Sequence, residues 1–182
     1  MHEVSLNRLI TDYITGESIE DTTYEDLRQA LARMLVEDKK YPRASVRPKY
    51  PVSYLIDAAP QTATIDLAVF GSEDRPLLAL FFCPGETGTF IRESVAAARI
   101  HTPQPFPLVA VTDSMSLILV NVSTAEPIDQ GFGALPPWHL LVSLAETYPA
   151  PVLSAERRAK EERILHAYRG LGGPCCGGEC AS

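Results

Sequence analysis

The sequence predicts an α/β domain, a mixed central sheet flanked by helices. Three observations carry that prediction. An amphipathic helical pattern covers residues 22–38, three strand-like segments on short turns lie between residues 50 and 83, and an Ala-rich helix then separates these from two more strands. The expected order is α-β-β-β-α-β-β-α-α. No linker is long enough to split the 182 residues, of which 46% are hydrophobic. A chain of that length buries about two thirds of its extended surface in one core.

The first helix starts on a capping-box pattern, in which the Thr22 hydroxyl and the Glu25 carboxylate would satisfy each other's orphan backbone donors. Tyr24, Leu27, Leu31, Met34 and Leu35 then recur at three- and four-residue spacing, and Pro42 helps end the helix. Strands are expected at 50–56, 62–70 and 77–83. The second alternates Ile65, Leu67 and Val69 against polar or small neighbours, and the third is apolar throughout, as a strand covered on both faces would be. A short polar turn at 71–76 predicts that these two pair antiparallel. Residues 89–100 read as a helix that the proline-rich run 101–107 must break. Two further strands at 108–112 and 117–122 precede helices at 138–147 and 154–169. The expected organisation is an N-terminal extension at 1–19, the domain at 20–152, a C-terminal helix at 153–170 and a Gly/Cys tail at 171–182.

Charge is unevenly placed. The net charge is −7, which does not favour general polyanion binding. Residues 39–49 nevertheless hold Lys39, Lys40, Arg43, Arg47 and Lys49 with no acid, between two acidic blocks. That strip reads either as a solvated turn or as an edge that contacts phosphate. No apolar run approaches the ~20 residues of a membrane span. The expectation is a cytoplasmic protein with reduced thiols and no membrane contact.

The stretches Tyr24-Glu25-Asp26-Leu27-Arg28-Gln29, Tyr41-Pro42 and Ile65-Asp66-Leu67-Ala68-Val69-Phe70 come in a telling succession. With the helix 92–99 and the strand pair 109–122, they resemble the N-terminal domain of type I restriction enzyme R subunits, over roughly residues 20–125. The resemblance implies a restriction-endonuclease-like fold and metal-dependent phosphodiester cleavage. In that family an Asp ends one strand and a Glu-x-Lys follows on the next. The Glu joins the Asp in holding Mg²⁺ while the Lys orients the attacking water. Asp66 takes the first role by position, and Glu25 fits an accessory acid. In the hydrophobic frame, Phe81 and Cys83 stand at the Glu and Lys positions, and residues 76–85 carry no charge at all. An apolar pair cannot ligate a hard cation. The resemblance therefore implies a cleavage centre that has been dismantled.

The expected function is a non-catalytic nucleic-acid-binding or interaction module. Lys39, Lys40, Arg43, Arg47, Lys49, Arg92 and Arg99 are its candidate phosphate contacts, and the partner is DNA, another protein or a second copy of the chain. One alternative is an active Mg²⁺-dependent endonuclease that uses Asp66 with Glu25, Glu86 or Glu93. Another rests on Cys175, Cys176 and Cys180, whose spacing could hold zinc or an iron–sulfur cluster with His166 or a thiol from another chain as fourth ligand. Cys83 reads as a small hydrophobe, since only a neighbour such as His101 would make it a nucleophile.

Overall fold

The computed structural model describes residues 4–171, with side chains to residue 168. Two strands, β1 (Ser5–Thr11) and β2 (Ser18–Thr22), form an antiparallel hairpin ahead of the first helix. Then come α1 (Glu25–Arg33), β3 (Val46–Ile56), β4 (Ala59–Phe70), β5 (Pro76–Phe82) and α2 (Thr87–Ile100). The chain continues through β6 (Leu108–Thr112), β7 (Leu117–Asn121), β8 (Glu126–Gln130), α3 (Trp138–Thr147) and α4 (Ala155–Leu171).

Strands β3 to β8 make one six-stranded sheet in sequence order. All neighbours are antiparallel except β5 and β6, which pair parallel, so the long crossover α2 has to join them. This is the mixed sheet flanked by helices that the sequence predicts. Leu31 of α1, Leu35 just beyond it, and Leu141 and Ala145 of α3 pack on one face of the sheet. Val95, Ala98 and Ile100 of α2 and Leu165 of α4 pack on the other. Both edge strands carry proline, at Pro48 and Pro51 in β3 and at Pro127 in β8.

Several elements differ from expectation. The first helix begins at Glu25, with Tyr24 as N-cap and no side-chain cap bond, because Glu25 is wholly buried and bonds elsewhere. It ends in a wider turn over Met34–Asp38, where the amide of Lys39 reaches back to the carbonyl of Met34. The hairpin β1–β2 and the edge strand β8 were not expected. β1 leaves most of its residues exposed and β8 is short and polar, so neither shows a buried stripe. β2 also straddles the expected boundary at residue 19. Cys175, Cys176 and Cys180 lie outside the described residues, and among those described no helix is long and apolar enough to cross a membrane.

Candidate functional site

The site is built where the β3–β4 hairpin changes face. On β3, Val46 packs on the α1 side while Val52 and Tyr54 pack on the α2 side, although all three are even-numbered. On β4, Ala63 and Ile65 face α2, while Leu67 and Val69 face α1. Strict alternation forbids both patterns, so the pleat reverses within each strand. The reversal falls at Lys49, whose φ is 47°, and at Asp66 opposite it.

Both side chains meet α1. Lys49 Nζ lies 2.7 Å from Glu25 Oε2. Asp66 Oδ1 is 3.4 Å from both Nε and Nη2 of Arg28, and Arg28 Nη1 donates to Glu25 Oε2. Asp66 Oδ2 accepts the amide of Phe82 at 2.8 Å. The buried amide of Gln29 donates to Glu25 Oε1 and to Asp12 Oδ2, both at 2.9 Å. Burial works against the Asp12 charge, but the amides of Thr15 and Ile14 and the Gln29 side chain outweigh it and hold its pKa below the ordinary range. Two cations and two carboxylates thus close on one another. Glu25 and Asp66 are brought together; Arg28 and Gln29, the residues that join them to each other and to the N-terminal hairpin, are the ones sequence reasoning missed. The helical spacing of Arg28 and Gln29 from Glu25 was the available signal.

The arrangement does not suit a divalent cation. Mg²⁺ asks for several oxygens directed at one point. Here the Arg28 guanidinium bonds both Glu25 and Asp66, and among the described residues no group of three or more His, Cys, Asp or Glu could hold a metal. The residues present do not fit the metal that a nuclease of this kind uses.

Strand β5 supplies no polar side chain to this face. The hydrophobic frame assigns the family Glu and Lys positions to Phe81 and Cys83. In the structure Phe81 packs on the α2 side with Cys83, whereas Leu80 and Phe82 share the α1 side with Asp66, and Phe82 stacks on Tyr24 at 5.3 Å. Both pairs are uncharged, so the missing Glu-x-Lys stands in either frame. Glu86 is exposed as the N-cap of α2. Glu93 lines a cleft with Thr64 and Phe81 on the α2 side. Burial pushes the Cys83 thiol up to about 11. His101 lies among Tyr50, Phe70 and Phe106.

The bases of the strip hold different partners. Lys39 donates to the carbonyls of Phe132 and Leu135, and Lys40 to that of Glu37. Arg47 pairs with Asp74 and covers the Phe70 ring, and Lys49 pairs with Glu25. Arg43 lies over the ring of Tyr13. On the far side of the sheet, Arg92 and Arg99 both bond the buried Glu161, which joins α4 to α2.

The family described as type I restriction enzyme R protein N terminus matches residues 23–136, which span α1 through the loop before α3. No curated protein and no solved structure gave a significant match.

Proposed function

The chain belongs to the type I restriction enzyme R protein N-terminus family, and from that membership we propose a non-cleaving domain that binds nucleic acid. The observation that carries the first half is the Arg28 guanidinium, bonded to both Glu25 and Asp66. A metal-dependent nuclease needs those carboxylates free to hold its cation and a cation-assisted water beside them. In this chain they are engaged by a side chain that stays charged at any physiological pH. Strand β5 adds only Leu80 and Phe82 where a further ligand and a lysine would be required. Lys49 approaches from β3, but its ammonium is held on Glu25. The second half rests on the family and on the unevenness of the positive charge.

Incubation of supercoiled plasmid with the full chain and Mg²⁺ or Mn²⁺, beside Asp66→Ala, tests the claim. The expected result is intact plasmid with both proteins. Nicking that disappears in Asp66→Ala would establish a working nuclease and overturn it.

A further inference from the structure

The ion pairs sort the positive charge of the fold. Among the described residues, Arg33, Lys39, Lys40, Arg43 and Arg163 are the bases with no carboxylate partner; the others each hold one. Four of these five fall within residues 33–43, at the corner where α1 ends and the chain turns toward β3. The acids of that corner are Glu37 and Asp38, so it retains a net positive charge. The −7 of the whole chain hides this, since it is spread over pairs and acidic loops elsewhere.

Two of the four are organised. The guanidinium carbons of Arg33 and Arg43 lie 4.9 and 4.5 Å from the centroid of the same ring, Tyr13. The ring itself is anchored. Its hydroxyl bonds Glu37 Oε1 at 3.0 Å, and the backbone amide of Tyr13 donates to Gln29 Oε1 at 2.7 Å. Both arginines are exposed. A guanidinium laid against an aromatic ring has its plane fixed while its N–H edge stays open, so it meets an oxyanion with less rotamer entropy left to lose. Two such edges from different elements present a two-pronged donor surface, which matches the paired oxygens of phosphate.

The corner is also connected to the Asp66 centre. Glu25, Gln29 and Arg33 recur every four residues, so they share one face of α1 and span about 12 Å along it. Gln29 bonds Glu25 at one side and the Tyr13 backbone at the other.

We propose that Arg33 and Arg43, held on Tyr13, form a clamp for the phosphodiester oxygens of a nucleic-acid strand. The proposal rests on the nucleic-acid reading above and gives it a location. Lys40, exposed and bonded to the carbonyl of Glu37, is the outer contact.

Fluorescence anisotropy of a labelled duplex oligonucleotide, titrated with the full chain at two salt concentrations, tests it. The wild-type protein should bind in a salt-sensitive way. The double variant Arg33→Ala/Arg43→Ala should bind about tenfold or more weakly, with a log–log salt slope lower by about two. Arg33→Lys/Arg43→Lys should fall between, because lysine keeps the charge but loses the planar fork. Tyr13→Phe should bind like wild type and Tyr13→Leu should weaken it, since the ring and not the hydroxyl holds the arginines. Thermal midpoints of each variant establish that it is folded. Salt-sensitive binding that is unchanged in the double alanine variant would overturn the clamp and leave the nucleic-acid reading standing. No salt-sensitive binding by the wild type would overturn both.

Discussion

Lys49 of β3 and Asp66 of β4 stand opposite each other at the one level that the β3–β4 ladder skips. Pro48 pairs with Leu67 and Tyr50 with Ile65, and the level between is given over to two charged side chains aimed at α1. In the sequence these residues belong to different features, one to a basic strip and one to a candidate catalytic strand. The hairpin makes them a single object, closed by Glu25 and Arg28.

The closure has an energetic signature. Arg28→Met leaves Glu25, wholly buried, with Lys49 as its remaining cation. With Lys49 and Gln29 still bonded to Glu25, the loss should fall below the ~3–5 kcal/mol of a buried charge left wholly unpaired. The double variant Arg28→Met/Glu25→Gln should lose less than the two singles added together. Urea denaturation of the four proteins supplies the cycle, and strict additivity would show that the pair is not coupled.

Divalent ions should be irrelevant to the wild-type fold. Because Glu25 and Asp66 already share a guanidinium, millimolar Mg²⁺ or its removal with EDTA should leave the thermal midpoint where it is. An upward shift with Mg²⁺ that vanishes in Asp66→Ala would mean that the carboxylates accept a metal after all.

Acid should act first through His101. Burial lowers its pKa, and Arg158 and Arg47 push the same way against the Gln104 carbonyl, which raises it. The folded protein therefore prefers the neutral ring. Stability should be full above the unfolded value of about 6.5 and decline as pH falls from there toward the lower folded value. Denaturant midpoints between pH 7.5 and 5 should show the decline, and His101→Phe should flatten it.

A second acid limb should follow at lower pH through Glu161. Its burial resists ionisation, but Arg92 and Arg99 outweigh that and hold its pKa below the ordinary value of 4.5, so its contribution is lost only as pH falls below that value. Glu161→Ala removes the carboxylate from under Arg92, Arg99 and Arg157. Arg157 is exposed and counts for little, so Arg92 and Arg99 carry most of a loss of about 3 kcal/mol. Hydrogen exchange should find α4 opening before the sheet. Uniform loosening of all elements would contradict the assignment of Glu161 as the α2–α4 latch.

Cys83 should be inert while the protein is folded. Its thiol is buried beside the Gly85 carbonyl, and burial raises its pKa to about 11. At pH 8 iodoacetamide should leave the Cys83 peptide unmodified until denaturant is added, as mass spectrometry of the digest would read. Equal labelling in both states would show the thiol to be accessible.

The strands β3 to β7 were legible along the chain, above all the central ones, which bury both faces and read as apolar runs. The helices α2 and α3 were legible from the proline runs that bound them. The face reversal was not, since nothing in the composition of 46–70 marks Lys49 as a left-handed residue. Asp66 and Glu25 were found by family pattern. Arg28 was overlooked, although it lies inside the quoted stretch, because its role depends on a strand 38 residues away. The capping-box reading failed because the Glu25 carboxylate is taken by Arg28 and Gln29 one turn along the helix and by Lys49 of β3. Periodicity sees neighbours on one element, and this site is made between elements.

The prolines of β3 and β8 bear on how the domain meets anything else. Each proline removes one amide hydrogen, so both end strands of the six-stranded sheet carry an interrupted ladder. Growth of the sheet by an added strand, whether from a second copy or from an extended peptide, is disfavoured at either end. Contact at these edges is left to side chains, which single substitutions can change without altering how the backbone is paired.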